Sequence, residues 1–294
     1  MKYLLPFTLP FLLFMIVSCQ SVDKKIFEFG AMADCQYCNK KSSGARQYSK
    51  STKKLAACVE HYNTMPLKYI VHLGDFIDAK YESFKPLNKI TAKLKAPLYH
   101  VLGNHEFSVA DKYKKDIYKT LKMPAPYYDF KVKNWRFIVL NGNDISFHAH
   151  PKGSPEQRAA ATYYKKNKVR SARWNGAIGP IQLKWLQEKL KAAGENKENV
   201  ILYCHFPVYK DKHHKLWNAE EVLGVLDQYT CVKAWINGHN HKGGYAERKG
   251  VHYLTLKGMV DTDETSYSVI EVYRDRLEVK GYGREGNRVL KLEP

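Results

Sequence analysis

Five times along this 294-residue chain, an apolar, strand-like run ends in a short cluster of metal-ligand side chains. The clusters are Ala33-Asp34-Cys35-Gln36, Gly74-Asp75-Phe76-Ile77-Asp78, Gly103-Asn104-His105-Glu106, Tyr203-Cys204-His205-Phe206-Pro207 and Gly238-His239-Asn240-His241. A single Asp or Asn after a strand is ordinarily a turn former or a helix cap. A single His there is ordinarily a satisfied rim residue. Five clusters in series, all at the same end of their runs, are a stronger constraint than any one of them.

The segments between the clusters set the fold class. Residues 25–33 read as a first strand, 44–63 as a helix with Leu55, Ala56 and Val59 on its apolar side, and 69–73 as a buried strand. A helix over 84–94 and a strand over 98–102 follow. Strand–helix–strand order implies parallel strands with helical crossovers. In such sheets the ligand site lies beyond the carboxyl ends of the strands. Asp34 and Gln36, two apart, point to the same side of an extended backbone.

Further along, 111–121 reads as a helix, and 127–132 and 135–140 as an antiparallel pair turning at Lys133-Asn134. Residues 148–179 are long, polar and weakly periodic, an insertion that shapes the pocket. A helix over 180–193 starts at Pro180, carries Leu183, Leu186 and Leu190 on one face and stops at Gly194. A strand over 200–204, a helix over 218–226 and a strand over 232–236 precede alternating strands at 251–256, 266–273 and 277–282, with a hairpin turn at Asp275-Arg276. The expectation is an α/β chain in which one domain, 26–294, has two facing sheets and helices outside.

Hydrophobic content of 44% suffices for a large core. The net charge of +19 comes from scattered lysines, a surface that attracts an anionic substrate or an anionic membrane. No nucleic-acid recognition motif is present, so nucleic acid is not an expected partner. At the start, Met1-Lys2 precedes an apolar run over 3–17 that is too short for a membrane span and reads as a secretory signal. Ile16-Val17-Ser18-Cys19 resembles a bacterial lipobox. That resemblance implies a lipoprotein signal peptide over 1–18, lipid on the sulfur of Cys19 and a tether over 19–25. Loss of Lys2 lowers the charge to +18. Gln20 after Cys19, by the same analogy, points to an exported, lipid-anchored protein on the periplasmic side of an outer membrane.

Five cysteines are then left, an odd number: Cys35, Cys38, Cys58, Cys204 and Cys231. Cys35 and Cys38 have CxxC spacing without a second CxxC, which argues against a zinc ribbon. Cys204 and Cys231 lie in apolar runs, where small buried thiols are the rule. Export permits a disulfide, and Cys35 with Cys38 or Cys58 is the pairing to test.

The ligand candidates are Asp34, Gln36, Asp75, Asn104, His205, His239 and His241. Carboxylate, amide and imidazole suit manganese, iron, zinc or magnesium. Seven side chains exceed the needs of one tetrahedral ion and suffice for two divalent ions if one carboxylate bridges. Two ions about 3.5–4 Å apart can generate a hydroxide and clamp both oxygens of a phosphoryl displacement.

The ordered set DxQ, GDxxD, GNHE, HxP and GHNH resembles the calcineurin-like metallophosphoesterase family over residues 25 to 245. The resemblance implies a four-layer α/β/β/α sandwich of two mixed sheets, with the metal site at the strand C-terminal ends. It implies one metal on Asp34, Gln36, Asp75 and His241 and another on Asp75, Asn104, His205 and His239, Asp75 bridging. It also implies that His105 stabilises the phosphoryl group or protonates the leaving oxygen, although in extended backbone His105 faces away from Asn104. Most of that family has His where this chain has Gln36. Gln36 together with Trp174-Asn175-Gly176-Ala177-Ile178-Gly179, Leu216-Trp217-Asn218, Lys257-Gly258-Met259-Val260 and Gly281-Tyr282-Gly283-Arg284 resembles the manganese-dependent ADP-ribose/CDP-alcohol diphosphatases. An amide oxygen in place of imidazole hardens one metal and favours manganese or magnesium over zinc.

The implied function is hydrolysis of the pyrophosphate of a nucleotide diphosphate derivative by attack of a metal-bridging hydroxide. Tyr37, Trp174, Tyr209 and Trp217 are candidates to stack on a base, and Asn175 is a candidate substrate contact. A phosphomonoesterase or cyclic-nucleotide phosphodiesterase on the same dinuclear site is the alternative. A ligand-binding lipoprotein without turnover is the reading from another class.

Overall fold

The computed structural model describes residues 24–293. Cys19, the leader and most of the tether lie outside the described residues. The first α/β half contains β1 (Phe27–Met32), α1 (Ser51–Tyr62), β2 (Ile70–His72), α2 (Phe84–Thr91) and β3 (Leu98–His100). Short helices α3 (Asp111–Lys114) and α4 (Ile117–Thr120) lead into the hairpin of β4 (Tyr128–Val132) and β5 (Trp135–Val139). A small ribbon of β6 (Ile145–Ser146) and β7 (Gly176–Ala177) brackets α5 (Pro155–Lys166). The second half contains α6 (Pro180–Glu195), β8 (Asn199–Tyr203), α7 (Ala219–Leu226) and β9 (Val232–Asn237). It continues into β10 (Gly244–Arg248), β11 (Val251–Thr255), β12 (Ser266–Val272), β13 (Arg276–Gly283) and β14 (Arg288–Lys291).

The strands form two mixed six-stranded sheets, β14-β13-β12-β1-β2-β3 and β10-β11-β9-β8-β5-β4. The strands carrying ligand clusters are parallel neighbours within each sheet, β1 with β2 and β3, and β8 with β9. Period-two alternation decides which side chains fill which layer. Ile201 and Tyr203 of β8 enter the core between the sheets, while Val200 and Leu202 meet α6 and α7 outside. Strands buried on both faces read as continuous apolar runs, which is why their alternation is hard to see in the sequence. Between the sheets, Phe29 stacks on Tyr69 with ring centroids 4.7 Å apart, and the Tyr69 and Tyr203 hydroxyls meet at 2.8 Å. On the outer side, α1 buries Leu55, Cys58, Val59 and Tyr62. The Tyr62 hydroxyl lies within hydrogen-bond reach of the carbonyls of Ala31 and Ser268. The four-layer sandwich is the observed fold.

Several local expectations are corrected. The first helix begins at Ser51: Arg46 instead bridges to Asp261 beside the site, and Tyr48–Lys50 form a short 3-10 turn. Gly194 does not stop α6, which runs on to Glu195. The 148–179 insertion contains the 12-residue α5, capped by the Ser154 hydroxyl accepting from the Gln157 N–H. It escaped notice because Ala160 is its only buried residue, leaving no apolar stripe. Residues 111–121 form two short helices and not one. All five cysteines among the described residues are free thiols, so neither proposed Cys35 pairing forms. Cys38 packs apart from the other two, against Tyr48 and Val260. No helix among the described residues is long and apolar enough to cross a membrane.

Candidate metal centre

The two sheets deliver the clusters to one rim. Loops after β1, β2 and β3 bring Asp34, Gln36, Asp75 and Asn104 from the first sheet. Loops after β8 and β9 bring His205, His239 and His241 from the second. The backbone here is not extended. Asp34, Gln36, Asp75 and His239 all have positive φ, between 41° and 70°. This left-handed region costs an L-residue energy, and it persists only where surroundings enforce it. Glycines allow the close approach. Gly74 has φ +92°, and a Cβ on it would stand 2.6 Å from His205 Nδ1; a Cβ on Gly103 would stand 2.2 Å from Asp75 Oδ1.

Asp75 is the centre of the cluster. Its Oδ2 accepts from Gln36 Nε2 at 3.0 Å and lies 3.2 Å from His205 Nε2, while its Oδ1 accepts the His105 N–H at 2.8 Å. His205 Nε2 and His239 Nδ1 are 3.0 Å apart. Ligand atoms of Asp75, His205 and His239 fall within 4.8 Å of one another. On the other side, His241 Nε2 lies 3.6 Å from Asp34 Oδ1, and Asp34 accepts the His239 N–H.

Each histidine has its other nitrogen occupied by an acceptor. His205 Nδ1 meets the Leu73 carbonyl at 2.8 Å, His239 Nε2 meets Asn175 Oδ1 at 2.7 Å, and His241 Nδ1 meets Asp261 Oδ1 at 3.0 Å. Such partners hold a proton on the nitrogen turned away from the cluster, so Nε2 of His205, Nδ1 of His239 and Nε2 of His241 are the atoms that would face a bound cation. Two buried amide oxygens, Gln36 Oε1 and Asn104 Oδ1, have no hydrogen-bond partner among the described residues. Buried polar atoms without partners are rare and call for a reason. Converging imidazole lone pairs, two carboxylates and two unpaired amide oxygens fit divalent cations of manganese, iron, zinc or magnesium type.

The sequence did not assign the residues that hold this cluster in place. Glu106 is fully buried and accepts the N–H groups of Asp75, Phe76 and Gly103, joining the second and third loops. Burial, and then the charge of Asp75, push its carboxyl up to about 8. The Asp78 carbonyl accepts from His105 Nδ1 at 2.8 Å, and Lys40 pairs with the Asp78 carboxylate. Glu106 and Asp78 were visible as the last letters of their motifs. Asp261, twenty residues past His241, carried no signal. Its loop is braced by Lys54, whose Nζ donates to the carbonyls of Met259, Asp261 and Thr262. Burial raises the Asp34 carboxyl. At Asp75 burial is outweighed by His205 and His105, which hold it well below the usual range. Burial opposes charge on His205 too, but Asp75 and Asp34 push it up to about 9.

Above the cluster opens a cavity of about 630 Å³, lined by Gln36, Asp75, Asn104, His105, His239 and His241, with a rim of Arg46, Ser108, Phe147, His148, Arg173, Trp174 and His214. Asn104 and His105 both line it because Asn104 is αR and His105 opens a short 3-10 turn, which removes the objection based on extended backbone. Of the aromatic candidates, Trp174 lines the cavity and is 55% exposed. Tyr37, Tyr209 and Trp217 do not line it. Tyr37 packs on the main core, Tyr209 packs on Tyr253, and Trp217 packs on Phe147 and Tyr164. Asn175 is fully buried behind His239, so it does not contact substrate.

Comparison with known proteins gives a consistent picture. The family model described as "Calcineurin-like phosphoesterase" matches residues 27–243. A protein of Arabidopsis thaliana named manganese-dependent ADP-ribose/CDP-alcohol diphosphatase is 30% identical, over 88% of this chain and 95% of that protein. A human protein of the same name is 27% identical, over 92% of this chain and 94% of that protein. The crystal structure of a dimetal phosphatase from Danio rerio superposes with a TM-score of 0.82 at 24% identity, covering 92% of this chain and all of that one. The rim where five ligand loops meet is thus the site of a known enzyme class, and the chain belongs to the calcineurin-like phosphoesterase family.

Proposed function

We propose that this protein is a manganese-dependent hydrolase that cleaves the pyrophosphate of a nucleotide diphosphate derivative, such as ADP-ribose or a CDP-alcohol. The observation that carries this reading is Gln36. Its Nε2 donates to Asp75 while its amide oxygen is left without a partner, at a position where an imidazole would give a softer site, and the similar proteins from plants and animals bear the diphosphatase name. One ion would be held by Asp34, Gln36, Asp75 and His241, and the other by Asp75, Asn104, His205 and His239. When bound, two such ions supply positive charge for the phosphoryl oxygens and a water of lowered pKa.

The chain's own residues then have separate tasks. His105 donates its Nδ1–H to the Asp78 carbonyl, so in its imidazolium form it keeps the Nε2–H to pass to the leaving oxygen. Arg46 and Arg173 on the rim offer positive charge to the phosphate that is not attacked. Trp174 offers a face on which a base can stack. The test is a substrate panel with manganese, on wild type and on Gln36→His. Cleavage of ADP-ribose and CDP-choline is expected, with preference shifting toward phosphodiesters in Gln36→His. If both survive while simple monoesters or cyclic nucleotides are cleaved, the alternative reading on the same site holds. A chain that binds no divalent metal, or hydrolyses no phosphate ester when loaded, would be a binding protein.

We also propose that the protein is exported and anchored. The support is the charged start, the short apolar run and the Ile16-Val17-Ser18-Cys19 pattern. In this reading residues 1–18 are removed, Cys19 carries lipid and a short tether up to residue 25 leads to the catalytic domain.

A further inference from the structure

We infer that Asn175 is a positioning residue that decides the occupancy of one of the two metal positions and leaves the other untouched; this rests on the dinuclear reading above. The amide orientation is determined by its neighbours. Nδ2 of Asn175 faces the carbonyl oxygens of His213 and Lys215, at 2.8 and 3.0 Å, and the Ser171 hydroxyl at 2.6 Å. Carbonyl oxygens only accept, so the NH₂ group must point at them. The oxygen is left facing His239 Nε2 at 2.7 Å, and it accepts the proton there. His239 is held as the Nε2–H tautomer, with Nδ1 presented 3.0 Å from His205 Nε2.

The other half of the centre does not share this support. His241 is held through Asp261, in a different loop braced by Lys54 of α1. Asn175 belongs to the 148–179 insertion, immediately after Arg173 and Trp174 of the cavity wall. The insertion therefore does more than shape the pocket. Its last turn reaches under the wall and orients a ligand that, by its place, serves only the position shared with Asp75, Asn104 and His205. Loss of such an acceptor typically weakens metal binding about 10- to 100-fold.

The experiment uses the full chain, stripped with a chelator and titrated with manganese by calorimetry. Wild type should take up two ions. Asn175→Ala should keep one binding step and weaken the other about 10- to 100-fold. Asp261→Ala should weaken the step that Asn175→Ala spares, and the double variant should lose both. An unchanged isotherm for Asn175→Ala, or equal weakening of both steps, would overturn the inference. Should the variants fail to fold, nitrogen-15 spectra of the metal-free wild type decide the matter: an Nε2–H tautomer at His239 supports it and an Nδ1–H tautomer overturns it. Fewer than two ions on wild type would remove the dinuclear reading and this inference with it, whereas two ions with an unchanged Asn175→Ala isotherm removes only the inference.

Discussion

Backbone conformation at single residues carries much of the site. Asp34, Gln36, Asp75 and His239 occupy a region that costs an ordinary residue roughly 1–3 kcal/mol. Glu106 and the close glycines enforce it at Asp75: a carboxyl that binds the N–H groups of Asp75 and Phe76 in one loop and of Gly103 in the next leaves Asp75 no other place to go. Gly103→Ala tests this. The added methyl would overlap Asp75 Oδ1, and Asp75 belongs to both proposed metal positions. A loss of bound manganese with kcat falling at least ~100-fold is expected from the loss of a shared ligand, while the far-ultraviolet circular dichroism stays native. Normal metal content in Gly103→Ala would show that the loop gives way without displacing Asp75. The identities of these residues were readable, because ligand chemistry is carried by side-chain type. Their left-handed backbone was not, since none is glycine.

Among the elements, β3 shows how a strand can carry a pH limit. His100 at its end is buried between Phe76 and His72, with ring centroids 5.0 and 5.7 Å away, and its Nδ1 has no partner among the described residues. Burial lowers its pKa from 6.5 to about 3. Between those values the unfolded chain binds a proton that the native state refuses, so stability falls as pH drops below 6.5. For one such group the slope approaches about 1.4 kcal/mol per pH unit. Denaturant unfolding at pH 7.5 and 5.5 should therefore show His100→Leu losing about 1 kcal/mol less than wild type on acidification. An equal loss would place the acid sensitivity elsewhere, for example at His72, whose pKa burial also lowers. Elements with an apolar stripe or a buried run, such as α6 and β8, were legible from periodicity. The helix α5 was not, because it buries almost nothing, and the edge strands β10 and β14 each bury a single residue and so show no alternation.

At the scale of the whole molecule, the catalytic rim exists only between the two sheets. Neither sheet alone carries a complete set for either metal: the first supplies carboxylates and amides, the second supplies imidazoles. The proposed anchor belongs to this scale as well. A lipid on Cys19 would hold a processed chain of charge +18 close to a membrane surface, where cationic proteins are attracted to anionic lipid. Wild type expressed with its leader should fractionate with membranes and take up labelled fatty acid, whereas Cys19→Ala should appear in the soluble fraction, unlabelled. Unlabelled wild type in the soluble fraction would rule the lipoprotein reading out.

The sequence by itself determined the candidate ligand set and its order, because a cluster after a strand needs only local chemistry to be recognised. It also determined the parallel strands, through the helical crossovers between them. The tertiary structure decided what depends on contacts between distant segments. It placed β12, near the end of the chain, beside β1, and it left the five described thiols free. It moved Asn175 from the substrate wall to the back of His239 and brought Asp261 to His241. Those partnerships join residues 64 and 20 positions apart, and no periodicity within either segment encodes which hydrogen-bond acceptor a distant imidazole will meet.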